Sequence, residues 1–291
     1  MLGINPHGRS RFLVEISKLD FMIPIFFAIL IAMILAQLVL LAGPYEKISL
    51  LSLYGDGETF AILNLFIIAI VSAVSLFVFF RILKIRNELA VKILVATFIL
   101  GGMLSSLLFG KLVFTLLGLR SPLLHIFAAA VAYLGTYFAY LVIVDVISER
   151  MRNTLFVICS GTLGAFLGVL LHILPVAGIS IALSVVDTIL IKRGTAQRII
   201  GFPAEYEKLI MKMTFTTREW GIGIGDLICY SMIVSSSSVN FGVLAGCSSL
   251  AFILTGSFLT MILAVKRRRV PGLPIVTALG LLPSIMLLFF L

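Results

Sequence analysis

The chain has 291 residues, of which 61% are hydrophobic and 12% charged, and its mean hydropathy is +1.20. Soluble domains carry about twice that charged fraction, which excludes an ordinary soluble fold. The net charge of +9 calls for no nucleic acid, because basic loops against anionic lipid account for it.

Apolar runs long enough to cross a bilayer recur along the whole chain. They are predicted at 21–42, 59–80, 93–117, 122–145, 154–174, 175–191, 221–239, 241–265 and 274–291. Nine such spans imply an all-α polytopic membrane protein. The first run is longer than a signal-peptide core and lacks a small-x-small cleavage site, so it is expected to stay. The sixth is short and opens on Pro175. Proline suits a first helical turn, where its missing N–H would be unpaired anyway, so spans five and six are expected to form a tight hairpin. The last span, about 27 Å at 1.5 Å per residue, just suffices to cross. The C-terminus is expected at the membrane surface.

Basic residues orient the spans. With a cytoplasmic N-terminus and strict alternation, 19 of the 22 Lys and Arg fall in cytoplasmic segments. Only Lys47, Lys111 and Arg120 fall outside, as the positive-inside rule requires. Removing one span would destroy this pattern. The N-terminus is therefore expected inside and the C-terminus outside, in a multi-pass protein of the cell membrane. Three parts follow: six spans (1–191), a cytoplasmic loop (192–220) and three spans (221–291). Within the loop, Met213–Thr217 is rich in β-formers. On propensity alone it reads as an interfacial linker. Cys159, Cys229 and Cys247 lie within spans without disulfide or zinc spacing, and read as small apolar packers. Lys111 and Asp145 sit near span ends, where their heads snorkel to water.

Of the thirteen Asp and Glu, only Asp187 and Asp226 lie deep in apolar stretches. A carboxylate in hydrocarbon costs roughly 2.5–3.5 kcal/mol even on lenient insertion scales, which makes each a functional candidate. Asp187 precedes Lys192 by five residues, about 7.5 Å of helix. Asp226 follows Glu219 by seven, about 10 Å. Their spans are consecutive and antiparallel, so both acids are expected at one depth near the cytoplasmic side. Two carboxylates that share a site cannot both ionise cheaply. One then takes a proton from water while the other polarises a carbonyl, which is aspartyl-protease acid–base chemistry. It needs no metal and no cofactor.

Two further strings flank the acids. Gly221, Gly223 and Gly225 alternate just before Asp226, leaving room for close helix packing or for an extended ligand. Gly164–Gly168 and Gly242–Gly246 read as helix packing outright. Val270-Pro271-Gly272-Leu273-Pro274 opens the last span, and its prolines push it towards an extended path at the level of the acids.

Together these residues resemble the presenilin and signal-peptide-peptidase family of intramembrane aspartyl proteases. Gly223-Ile224-Gly225-Asp226 matches the family's Gly-x-Gly-Asp, Asp187 falls in the sixth span, and Pro271-Gly272-Leu273 matches its Pro-Ala-Leu with Gly for Ala. The order of motifs and the span count agree along the whole chain. The resemblance implies Asp187 and Asp226 as a catalytic dyad, with Gly223, Ile224, Gly225, Pro271, Gly272 and Leu273 around the substrate. It implies transmembrane proteins or peptides as substrates and leaves the oligomeric state unspecified. One departure stands out: Val186 precedes the first acid, where the family usually has Tyr. The size looks like that of a microbial relative.

Two midspan acids also suit a proton- or cation-coupled transporter or channel. Such a protein would carry more polar residues at the midplane. The prepilin peptidases resemble this chain only at Asp226. A serine mechanism fails because Ser160 and His172 lie about 18 Å apart on one helix, and no His-Glu-x-x-His serves zinc.

Overall fold

The structure, a computed structural model, describes residues 11–42, 87–118, 121–193, 213–216, 221–266 and 271–290. The predicted span at 59–80 and most of the 192–220 loop lie outside the described residues. Eight α-helices are described: α1 (Arg11–Ala42), α2 (Asn87–Leu116), α3 (Ser121–Val144), α4 (Glu149–Leu170), α5 (Ile173–Arg193), α6 (Ile224–Phe241), α7 (Val243–Lys266) and α8 (Leu273–Phe290). Two short strands, β1 (Thr214–Thr216) and β2 (Gly221–Gly223), lie between α5 and α6. Six of the helices (α1, α2, α3, α4, α7 and α8) are long and apolar enough to cross a membrane, as a multi-pass membrane protein requires. The apolar part of α5, Ile173–Ile189, is shorter.

α6 is the axis of the bundle, and α1, α4, α5, α7 and α8 all pack on it. Small residues make this possible. A Cβ on Gly164 would stand 2.7 Å from the Ile228 carbonyl oxygen, and one on Gly168 2.9 Å from the Ser236 nitrogen. Glycines four apart share a helix face, so α4 and α6 meet backbone to backbone. Gly246 likewise packs on Ser238. Its predicted partner Gly242 does something else: its φ of +89° ends α6 in a conformation that L side chains avoid.

Ser231, Ser235, Ser236, Ser237 and Ser238 of α6 are all buried. Ser237 Oγ lies 2.6 Å from Ser284 Oγ of α8 and accepts from Ser249 of α7 at 3.1 Å, joining three helices. Ser235 and Ser237 also donate to carbonyls one turn back, at 2.8 Å each. The interior thus holds more hydroxyls than the apolar reading of the spans anticipates. Cys159 and Cys229 are buried as expected, but Cys247 is exposed and touches Met33. Asp145 ends α3 and pairs with Lys92 of α2 at 3.8 Å.

Three sequence expectations change. α4 and α5 are joined by two residues, but they do not form a packed hairpin. Leu171 leaves the helix in an extended conformation, and α5 turns to lie on α6 and α8. Residues 221–223 are a strand rather than the start of span seven. Leu273 is helical, and among the described residues Pro271 and Gly272 precede α8 as irregular backbone.

The α4–α6 contact yields a prediction. Gly168→Val forces a branched side chain into Ser235 and the Met232 carbonyl. Overpacking of this kind costs about 1–3 kcal/mol, so thermal unfolding in detergent should move down by several degrees. An unchanged melting curve would count against backbone-close packing there.

Candidate active site

The region around Asp226 is shaped by β1 and β2. They pair antiparallel, Thr214 with Gly223, Phe215 with Ile222 and Thr216 with Gly221. The Ile224 N–H donates to the Met213 carbonyl at 3.4 Å and extends the ladder by one step. In an antiparallel ladder hydrogen-bonded pairs alternate with open ones. Phe215–Ile222 is therefore a bonded pair, and the backbone groups of Thr214, Thr216, Gly221 and Gly223 point outward. Alternation of glycine at every second position puts the glycines on one face and on the outer edge of β2.

The strand turns into α6 at Gly223, the N-cap. Asp226 is then the third helical residue, and the Gly223 N–H donates back to its carboxylate. This is the acid half of a capping box, in which a side chain at the third position satisfies a donor that the helix leaves orphaned. Asp226 consequently lies in the first turn of its helix rather than 10 Å along it.

Asp187 projects from α5, six residues before that helix ends. Its Oδ2 accepts from the N–H of Leu273, the first residue of α8, at 3.2 Å. Again a carboxylate meets an orphan donor at a helix N-terminus, where the helix dipole favours negative charge. Asp226 reaches the neighbouring residue: a Cβ on Gly272 would stand 3.3 Å from its Oδ2. Both acids therefore meet the Gly272–Leu273 unit, Asp226 at the Cα of Gly272 and Asp187 at the N–H of Leu273. They are near enough for their charges to interact. Both are half-buried.

The surroundings hold this arrangement. Gly272 and Leu273 are buried and Pro271 is half-buried. Leu273 packs in the same core cluster as Ile222, Leu227 and Val276. Ser184 of α5 lies 2.7 Å from Thr277 Oγ1 of α8, and Thr277 bonds back to the Leu273 carbonyl at 2.9 Å. Cys229 contacts Ser180 at 3.5 Å, which links α6 to α5. Of the remaining predicted residues, Ile224 packs into a separate cluster towards α2 and α4, and Gly225 is exposed with open space where a Cβ would stand.

The residues alone did not single out Tyr230. It is buried, and its hydroxyl donates to the Gly272 carbonyl at 3.5 Å. The signal was its spacing, since a residue four after Asp226 lies on the same helix face. Val186, at the position where Tyr was noted as missing, is 37% exposed.

No family model and no curated protein matches the chain. Among solved structures it is similar to that of a presenilin family intramembrane aspartate protease, with a TM-score of 0.58 and 19% sequence identity. The match covers 94% of this chain and 99% of that one. At that identity the likeness is one of fold.

The two carboxylate contacts can be read separately by amide exchange. Asp187→Ala should speed exchange of the Leu273 amide about tenfold or more while leaving Gly223 unchanged, since a hydrogen bond to a charged group contributes about 1.5–3 kcal/mol. Asp226→Ala should do the reverse. Equal response of both amides to either variant would contradict the assignment of one donor to each acid.

Proposed function

We propose that the chain is an intramembrane aspartyl endopeptidase in which Asp187 and Asp226 cleave peptide bonds of transmembrane substrates. The observation that carries this reading is the meeting of both acids at Gly272–Leu273. Two carboxylates from separate helices, each costly in an apolar setting, converge on one unit at the mouth of three elements. The fold likeness to an intramembrane aspartate protease supports the same reading.

The chemistry follows from one proton shared by the pair. The ionised carboxylate takes a proton from water as the water oxygen attacks the carbonyl carbon. The protonated carboxyl gives its proton to the carbonyl oxygen. When the tetrahedral intermediate collapses, the C–N bond breaks, the nitrogen leaves with a proton returned by the first acid, and a hydroxyl of the intermediate returns a proton to the second. One product keeps a new carboxyl group and the other a new amine.

A substrate helix must unwind locally before water can reach its peptide bond. Freed N–H and C=O groups cost several kcal/mol each in lipid unless they are paired. The backbone groups nearest the acids are those of β1, β2 and the Gly272–Leu273 unit. The Leu273 N–H is engaged by Asp187, and both backbone groups of Thr216 are engaged by Asn153 of α4. The reading therefore assigns the substrate strand to the outer edge of β2 at Gly221, where no side chain stands between backbone and backbone; the Gly223 N–H is held by Asp226. A transporter or channel would use the same acids, but no particular contact favours it.

The test is cleavage of a single-span substrate by purified protein in detergent. Wild type should cleave, whereas Asp187→Ala and Asp226→Ala should each lose at least about a thousandfold in rate while remaining folded, as removal of essential catalytic groups does. Cleavage that survives either substitution would remove the mechanism. The pH profile supplies a second check. Below the lower apparent pKa both acids are protonated and no base remains; above the upper one both are ionised and no acid remains. The rate of cleavage should therefore fall on both sides of a maximum. A rate that rises monotonically with pH would be inconsistent with a shared proton.

A further inference from the structure

The β1–β2 hairpin has two outer edges, and α4 meets one of them in an unusual way. The Asn153 side chain of α4 bonds to both backbone groups of Thr216. Its Nδ2 donates to the Thr216 carbonyl at 2.7 Å, and its Oδ1 accepts from the Thr216 N–H at 3.3 Å. A carboxamide carries one acceptor and a donor pair at nearly the spacing of a peptide group. It therefore does for Thr216 what a neighbouring strand would do. The Thr216 hydroxyl is held as well, donating to Glu149 and accepting from Arg152 Nη2 at 3.4 Å. Three residues within one turn and a half of α4 thus converge on a single strand residue.

We propose that Asn153 is a positioning residue: its carboxamide stands in for a third strand on β1 and fixes the hairpin that places Asp226. The path is continuous. Asn153 holds Thr216 in β1, the register of β1 fixes Gly223 in β2, and the Gly223 N–H holds the Asp226 carboxylate. An isolated two-stranded hairpin is marginal at best, so an anchor on its outer edge decides whether it stays formed. The anchor has a second effect. An unpaired edge accepts any strand, and holding Thr216 of β1 leaves Gly221 of β2, among the described residues, to take an incoming strand. This part rests on the protease reading.

The experiment uses the full chain in detergent, as wild type, Asn153→Ala and Asn153→Asp, and reads amide exchange and cleavage together. Asn153→Ala should speed exchange at Thr216 and at Gly223 about tenfold, with core amides of α6 unchanged. Asn153→Asp keeps an acceptor for the Thr216 N–H but loses the donor to its carbonyl, so its effect should be intermediate; this shape-conserving variant guards against a folding artefact. On a single-span substrate, Asn153→Ala should lower kcat about tenfold with KM changed less than about twofold, because misplacement of a catalytic group acts on the chemical step. Unchanged exchange at Thr216 would overturn the proposal. So would faster exchange at Thr216 that does not reach Gly223, or faster exchange at both with kcat unaffected. Wild type that cleaves nothing would end the protease reading, while exchange would still decide whether Asn153 holds the hairpin and Asp226.

Discussion

The arrangement depends on a match between two kinds of expensive group. Carboxylates are costly in an apolar bundle, and so are the N–H groups that every helix leaves unpaired at its start. Here each problem is met by the other. Asp226 takes the Gly223 N–H at the start of α6, and Asp187 takes the Leu273 N–H at the start of α8. The positive ends of two helix dipoles add to the attraction. The acids are therefore placed by where helices begin, and helix starts are set by residues that cannot continue a helix backwards. Gly221 and Gly223 are poor helix formers and do not extend α6 backwards, and Pro271 with Gly272 gives the irregular step before α8. The glycine-rich and proline-rich strings are helix-start signals first, and that role is what brings two acids to one dipeptide.

The bundle around this point is built for close approach. In lipid there is little hydrophobic gain from one helix touching another, so association relies on packing and on hydrogen bonds between helices. α6 carries small residues along its buried faces, and glycines of α4 let the two backbones meet. Ser235 and Ser237 donate to carbonyls one turn back, and Ser237 also reaches α7 and α8. The helix with the most central place is thus one of the least apolar. It is shielded from lipid by its neighbours and does not need an apolar surface of its own.

Span positions were legible in the sequence because hydropathy and length constrain them directly. The spans predicted at 21–42, 93–117, 122–145 and 241–265 correspond closely to α1, α2, α3 and α7. What hydropathy does not carry is which helix touches which, and so the separation of α4 from α5 was not readable from a short connection. The glycines before Asp226 were readable in principle. Helix-packing glycines recur every four residues, as Gly164 and Gly168 do, whereas Gly221, Gly223 and Gly225 recur every two, which is the period of a strand. α8 starts at Leu273 in spite of two prolines because Pro274 is its second residue, where a missing N–H costs nothing. Asn153 was not readable, because its partner lies 63 residues away and nothing in the local pattern of α4 marks it.

The same geometry bears on Val186. Adjacent helical residues point about 100° apart, so a side chain at 186 and the carboxylate of Asp187 leave α5 in different directions. Val186 is partly exposed, while Asp187 turns towards α8. A residue four positions along a helix, by contrast, returns to nearly the same direction. Tyr230 stands in that relation to Asp226, and its hydroxyl meets the carbonyl of Gly272, the residue that Asp226 itself approaches. Gly272–Leu273 is thus held at three points: a carbonyl by Tyr230, a Cα beside Asp226 and an N–H by Asp187. The side chain at 186 is apolar, yet the place where the acids meet has a hydroxyl. That hydroxyl comes from the other helix, on the face that the second acid already defines.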